Sequence, residues 1–117
     1  MGKITILLKR SPYGDINAAE AVRHAMGGAA GELKVDIVLT DGGVLLARKG
    51  QDDTGTGFTN LGAALKDCLD MGVAVYADKP SMREHRLEAV DMVEGVAVSG
   101  SSEIAEIIKE AATVMIF

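Results

Sequence analysis

Residues 73–84 read Val73-Ala74-Val75-Tyr76-Ala77-Asp78-Lys79-Pro80-Ser81-Met82-Arg83-Glu84. The first five are apolar and strand-forming, and they predict a strand buried on both faces. Asp78-Lys79-Pro80 breaks that strand, and Ser81-x-x-Glu84 has the form of a capping box that opens a short helix. A buried strand that passes through polar residues into a helix is the building unit of a parallel α/β sheet.

The flanking sequence alternates in the same way. Upstream, Leu61, Ala64, Leu65, Cys68 and Leu69 fall on one face of a helix capped by Thr59 and stopped by Gly72. Before it, Gly50 to Phe58 is polar and glycine-rich, a loop, and Val44 to Ala47 predicts one or two helical turns after Asp41-Gly42-Gly43. Lys34 to Leu39 predicts a second strand. From Ile16 to about Met26, the stripe Ala18, Ala19, Val22, Ala25 and Met26 predicts a helix capped by Asp15 or Asn17 and ended by Gly27-Gly28 and Gly31. Ile4 to Leu8 predicts the first strand, and Pro12 and Gly14 punctuate the break after it. Downstream of a connection at Val90 to Glu94, Val96-Ala97-Val98 predicts a fourth strand. Ser99-Gly100-Ser101-Ser102 then leads into a helix with Ile104, Ile107, Ile108 and Ala111 inward and Glu103 and Glu106 in its first turn. Val114 to Phe117 predicts a last strand. The pattern implies an α/β three-layer sandwich around a mostly parallel five-stranded sheet, as a single domain over residues 1–117. No internal repeat or linker interrupts it.

Composition narrows the function classes. Aromatic residues are only 3% and Trp is absent, so the core must be aliphatic, filled by Ala, Val, Ile, Leu and the six Met. The same scarcity removes stacking platforms for single-stranded nucleic acid. A net charge of −5 without a dense Lys/Arg stripe argues against a phosphate-backbone partner. The apolar run Ile4 to Leu8 is too short for a signal segment or a membrane span, and Ile6 breaks a myristoylation pattern after Gly2. The expectation is a soluble cytoplasmic protein that touches neither nucleic acid nor membrane. One cysteine excludes an internal disulfide.

In an open parallel sheet, ligands bind beyond the carboxyl ends of the strands. Strand one delivers Arg10, Ser11 and Tyr13 to that rim. Strand two delivers Asp41, strand three Asp78 and Ser81, and strand four Ser99, Ser101 and Ser102. These form the candidate ligand-binding rim, although each is also a residue type that turns and caps employ for local hydrogen bonds. Asp41 and Asp78 are candidates for paired carboxylates if the fold brings them within reach.

Other motifs fail. Gly55-x-Gly57 precedes a helix, but no strand leads into it and Asn60 holds the third glycine position; no Walker-type Gly-Lys-Ser/Thr exists. No cofactor is implied. His24 follows Glu20 by four, the spacing of a surface ion pair. His24, His85 and Cys68 lack metal-ligand spacing, so no metal site is expected. Cys68 is the one candidate nucleophile. It stands on the apolar stripe near a helix C-terminus, where burial and the helix dipole raise a thiol pKa, so a packed structural role is expected.

The chain resembles the DsrE/DsrF/TusC family. The resemblance rests on Ser11-Pro12-Tyr13-Gly14 after strand one and on Asp41-Gly42-Gly43-Val44 with Lys49-Gly50-Gln51 after strand two. It continues in Tyr76-x-Asp78-x-x-Ser81 running to Leu87, and in the closing Val114-Met115-Ile116-Phe117. It implies small α/β subunits assembled as trimers or hexamers that handle sulfane sulfur, in sulfur oxidation or in tRNA thiolation. The family's carrier subunit holds persulfide on a cysteine just past the third strand. That position is Asp78 here, and a carboxylate carries no persulfide. Arg86 replaces a frequent family glycine, and Gly42 replaces an acidic residue before Gly43. The resemblance therefore implies a non-carrier DsrF/TusC-like subunit that forms a platform and a pocket with sister subunits or copies of itself. Two alternatives stand beside it. One is a homo-oligomeric binder of a small anionic ligand held by Arg10, Ser99 to Ser102 and helix N-termini. The other is a sulfurtransferase using Cys68.

Overall fold

The computed structural model describes residues 3–12, 16–50 and 61–117. Tyr13, the caps expected at Asp15 and Thr59, Gly55-x-Gly57 and the loop residues from Gln51 to Phe58 lie outside them. The chain runs β1 (Ile4–Leu8), α1 (Asn17–Ala30), β2 (Val35–Leu39), a 3₁₀ helix (Asp41–Ala47), α2 (Leu61–Asp70) and β3 (Ala74–Asp78). It continues through α3 (Lys79–Glu84), a 3₁₀ turn (Ala89–Asp91), β4 (Ala97–Ser99), α4 (Ser101–Glu110) and β5 (Thr113–Ile116). All five strands pair in parallel, in the order β4-β3-β2-β1-β5.

The handedness of the crossovers explains the layers. Steps from β1 to β2 to β3 to β4 run one way across the sheet, so right-handed connections place α1 and α2 on one face. The step from β4 to β5 runs back past β1 and places α4 on the other face. Side-chain alternation divides the residues accordingly. Ile6, Leu8, Val35, Ile37, Leu39, Val75 and Ala77 join Ala18, Ala21, Val22 and Ala25 of α1 and Leu61, Leu65 and Cys68 of α2 in one buried aliphatic core. Thr5, Leu7, Asp36, Val38 and Tyr76 alternate to the α4 face, where Ile104 is the one buried residue of α4.

Three helices end on the same closure. After α1, Leu33 N–H donates to Gly28 O and Glu32 N–H to Ala29 O; after α2, Val73 N–H donates to Cys68 O and Gly72 N–H to Leu69 O; after α3, Leu87 N–H donates to Met82 O and Arg86 N–H to Arg83 O. This is the Schellman arrangement, which needs a left-handed residue at its corner. The corners are Glu32 (φ 65°), Gly72 (φ 92°) and Arg86 (φ 57°). Arg86 thus carries the positive φ that its replacement of a family glycine implies. Helix α1 runs through Gly27-Gly28, which do not end it, and stops at Ala30 with Gly31 as its C-cap, as expected of that glycine; Glu32 makes the turn.

Two other expectations change in detail. Ser81 does not cap α3. The helix starts at Lys79 with Pro80 in its first turn, where a missing N–H costs nothing, and Asp78 is the N-cap. On α4, Ile107 and Ile108 are only half-buried. Gly100 is the N-cap, and Glu103 reaches back to accept from its N–H at 3.4 Å.

Candidate functional site at the strand ends

Strand β3 hands its chain to the α1/α2 face through α3, whereas its neighbour β4 hands its chain to the α4 face. Adjacent strands that exit to opposite faces leave a crevice at their carboxyl ends, where open α/β sheets place ligands. The last residues there are Asp78 and Ser99, which are register partners.

A hydrogen-bond chain ties this crevice to the neighbouring loops. Asp41 N–H donates to Ser81 Oγ at 2.8 Å. The Ser81 hydroxyl donates to Asp78 Oδ2 at 2.6 Å, and Ser81 N–H donates to the same oxygen at 3.2 Å. The short O–H···O distance is that of a charge-assisted bond to a carboxylate. One oxygen of Asp78 therefore holds the first turn of α3 and, through Ser81, the start of the 3₁₀ helix. Ser81 is buried and its proton is committed, so it is a strut and not a free nucleophile.

The loop after β2 also touches the loop after β1. A Cβ on Gly42 would lie 2.6 Å from Ser11 Oγ, and one on Gly43 would lie 2.2 Å from Leu8 O. Gly43 is thus dictated by the backbone of β1, which no side chain there can displace. An acidic residue at position 42, as in the family, would require Ser11 to move. Asp41 takes φ 49° to make this turn.

The structure therefore joins Ser11, Asp41, Asp78 and Ser81 into one connected rim, with Ser99 buried beside Asp78. Arg10 and Ser11 are exposed after β1, and Ser101 and Ser102 are exposed at the start of α4. Asp41 meets Ser81 through its backbone N–H, so the contact on the rim is not one of paired carboxylates.

Cys68 is elsewhere. It is buried in the core between α1 and α2, with its Sγ 3.9 Å from Val22 O. Burial, with the charge of Asp67 adding to it, pushes the thiol up to about 11. A thiol in that state is protonated at neutral pH and out of contact with water, the opposite of a reactive cysteine. His24 does not simply pair with Glu20. The Glu20 carboxylate binds Arg23, while His24 Nδ1 lies 2.7 Å from Glu20 O and 3.9 Å from the carboxylate, its ring tilted against Phe117.

Two features escape the sequence reading. On the α4 face, Asp36 sits in the middle of the buried strand β2, with Lys3 Nζ 3.0 Å from its Oδ2. The contact is an ion pair, and Oδ2 and the buried Thr5 Oγ1 beside it have no hydrogen-bond partner among the described residues. Asp36 raises the pKa of Lys3, first through their side-chain contact. A carboxylate inside an aliphatic strand was the visible signal. The second feature is a cavity of about 580 Å³ on the flank of α2, lined by Lys49, Lys66, Leu69, Asp70, Val93 and Glu94. It lies away from the strand-end crevice. Among the described residues, no group of three metal-ligating side chains converges and no helix is long and apolar enough to cross a membrane.

An all-parallel α/β sheet in which the adjacent strands β3 and β4 hand the chain to opposite faces defines the class of protein. The DsrE/DsrF-like family model matches residues 2–117, and the chain belongs to that family. An uncharacterised protein of Methanopyrus kandleri is 30% identical over 97% of this chain and 93% of its own length. The intracellular sulfur oxidation protein DsrF of Allochromatium vinosum is 33% identical over 79% of this chain and 68% of its own length. The crystal structure of the ychN protein of E. coli superposes with a TM-score of 0.91 over the full length of both chains at 24% identity, which shows a shared fold.

Proposed function

We propose that this protein is a non-carrier, DsrF/TusC-like subunit of a cytoplasmic sulfur relay, which serves sulfur oxidation or tRNA thiolation by supplying platform and pocket to an oligomer. Family membership and the likeness to a sulfur oxidation protein support the sulfur-relay assignment. The non-carrier role is carried by one observation. The position that the family gives to its carrier thiol holds Asp78, whose carboxylate is bound to Ser81, while the single cysteine is sealed inside. A carboxylate offers no sulfur for a persulfide bond, and a protonated, enclosed thiol does not attack one. The rim of Ser11, Asp41, Asp78, Ser81 and Ser99, with Arg10 and Ser101 near it, would then shape the pocket in which a carrier presents its persulfide.

The test is intact-mass measurement after treatment of the folded protein with a low-molecular-weight persulfide donor, run beside a DsrE-like carrier subunit. The carrier should gain sulfur and this chain should not, while the two co-elute. Added sulfur on Cys68, abolished by Cys68→Ser, would refute the non-carrier role and favour a sulfurtransferase.

A further inference from the structure

β5 is an edge strand, and its backbone alternates in a definite way. Thr113 N–H donates to Lys3 O and Phe117 N–H to Leu7 O, while Phe117 O accepts from Lys9 N–H. With the parallel register Ile4↔Thr113 through Leu7↔Ile116, Thr113, Met115 and Phe117 turn both main-chain groups toward β1. Val114 and Ile116 therefore turn both N–H and C=O away from the sheet. Their side chains are also the exposed large apolar ones of the strands, at 37% and 68%. Natural edge strands are normally blunted by Lys, Pro, a bulge or brevity. The opposite edge, β4, has only three residues and follows Glu94-Gly95. Thr113-Val114-Met115-Ile116 carries no charge and no proline.

We propose that a second copy of this chain pairs with β5 in antiparallel fashion about a two-fold axis beside Met115, joining two five-stranded sheets into one of ten. This rests on the platform reading above and names the surface that builds it. A two-fold axis at Met115 places Val114 opposite Ile116 of the other copy, and the reverse. Both residues already present their main-chain groups outward, so each pair exchanges two hydrogen bonds, four in all, and none of the outward groups is left over. The same register sets Val114 and Ile116 of both copies side by side on the α4 face as cross-strand apolar pairs. One register thus satisfies the open backbone and covers the two exposed side chains. The strand is its own complement, as an isologous contact requires. A four-residue pairing is a small contact, so it depends on concentration unless other contacts of the assembly add to it.

Light scattering across a dilution series, with residue-resolved amide hydrogen exchange on the full chain, tests the pairing. The Val114 and Ile116 amides should be protected like those of Met115 and Phe117, and should lose protection on dilution. Ile116→Lys sits at an exposed position and should leave the single-chain fold intact while lowering the assembled mass by about half. Val90→Lys, at an equally exposed apolar residue on the 3₁₀ turn, should leave the mass unchanged. An oligomer whose Val114 and Ile116 amides exchange freely, or whose mass survives Ile116→Lys, overturns this pairing and leaves the platform reading standing. A monomer at every concentration overturns both.

Discussion

The two faces of the sheet are built differently. The α1/α2 face is a dry aliphatic core in which Ile37, Leu39, Leu65 and Cys68 are fully buried. The α4 face holds a buried carboxylate, a threonine hydroxyl without a partner among the described residues and a half-exposed strand. The first face supplies the stability of a single chain. The second tolerates polarity and exposure, as a surface meant to be completed by something else would. The strand-end rim joins them, because β3 exits to one face and β4 to the other.

The largest expected effect comes from breaking the first face. Leu39→Ala should lower unfolding free energy by about 2–5 kcal/mol, whereas Ile116→Ala should change it by no more than about 0.5 kcal/mol at dilutions where chains are apart. Urea denaturation checks both. Equal losses would erase the contrast between the faces.

The ion pair on the second face gives a smaller effect with a defined pH dependence. Lys3→Met leaves the Asp36 carboxylate buried without its counter-charge and should cost about 1–3 kcal/mol. Lys3→Met with Asp36→Val removes both charges and should recover most of that loss. The Lys3 pKa is raised in the folded state above its ordinary 10.5. Its contribution is therefore complete below that value and is lost as pH rises through the folded pKa. Denaturation curves of the native chain and Lys3→Met should converge in strong alkali. Curves that stay parallel would mean that the pair adds nothing.

At the rim, Asp78→Ala removes the cap of α3 and leaves Ser81 without its acceptor, for an expected loss of about 1 kcal/mol. Asp78→Asn keeps an acceptor and should lose less. Thermal melts compare the two, and identical melts would show that the carboxylate is not the cap. The smallest effect is a gain. Arg86→Gly relieves a left-handed corner that Gly72 fills without strain in the same motif, and should stabilise by up to about 1 kcal/mol, net of the entropy that glycine adds to the unfolded chain. A loss on that substitution would mean that the Arg86 side chain makes contacts that outweigh the strain.

Much of this was legible in the chain alone. Apolar runs at Ile4, Val35 and Val73, alternating with helical stripes, determined a parallel sheet, because a strand buried on both faces has no other common home. The placement of Cys68 on an apolar stripe determined its burial for the same reason: helical spacing converts directly into a face. Which polar residues meet was decided only by tertiary structure. Ser81 looked like a cap and proved to be a strut between Asp78 and Asp41, since the partner that claims a hydroxyl depends on loops forty residues apart. Glu32 became a helix corner and β5 an open edge for a like reason. Strand order and crossover hand are properties of the assembled sheet, and local sequence carries no direct record of them.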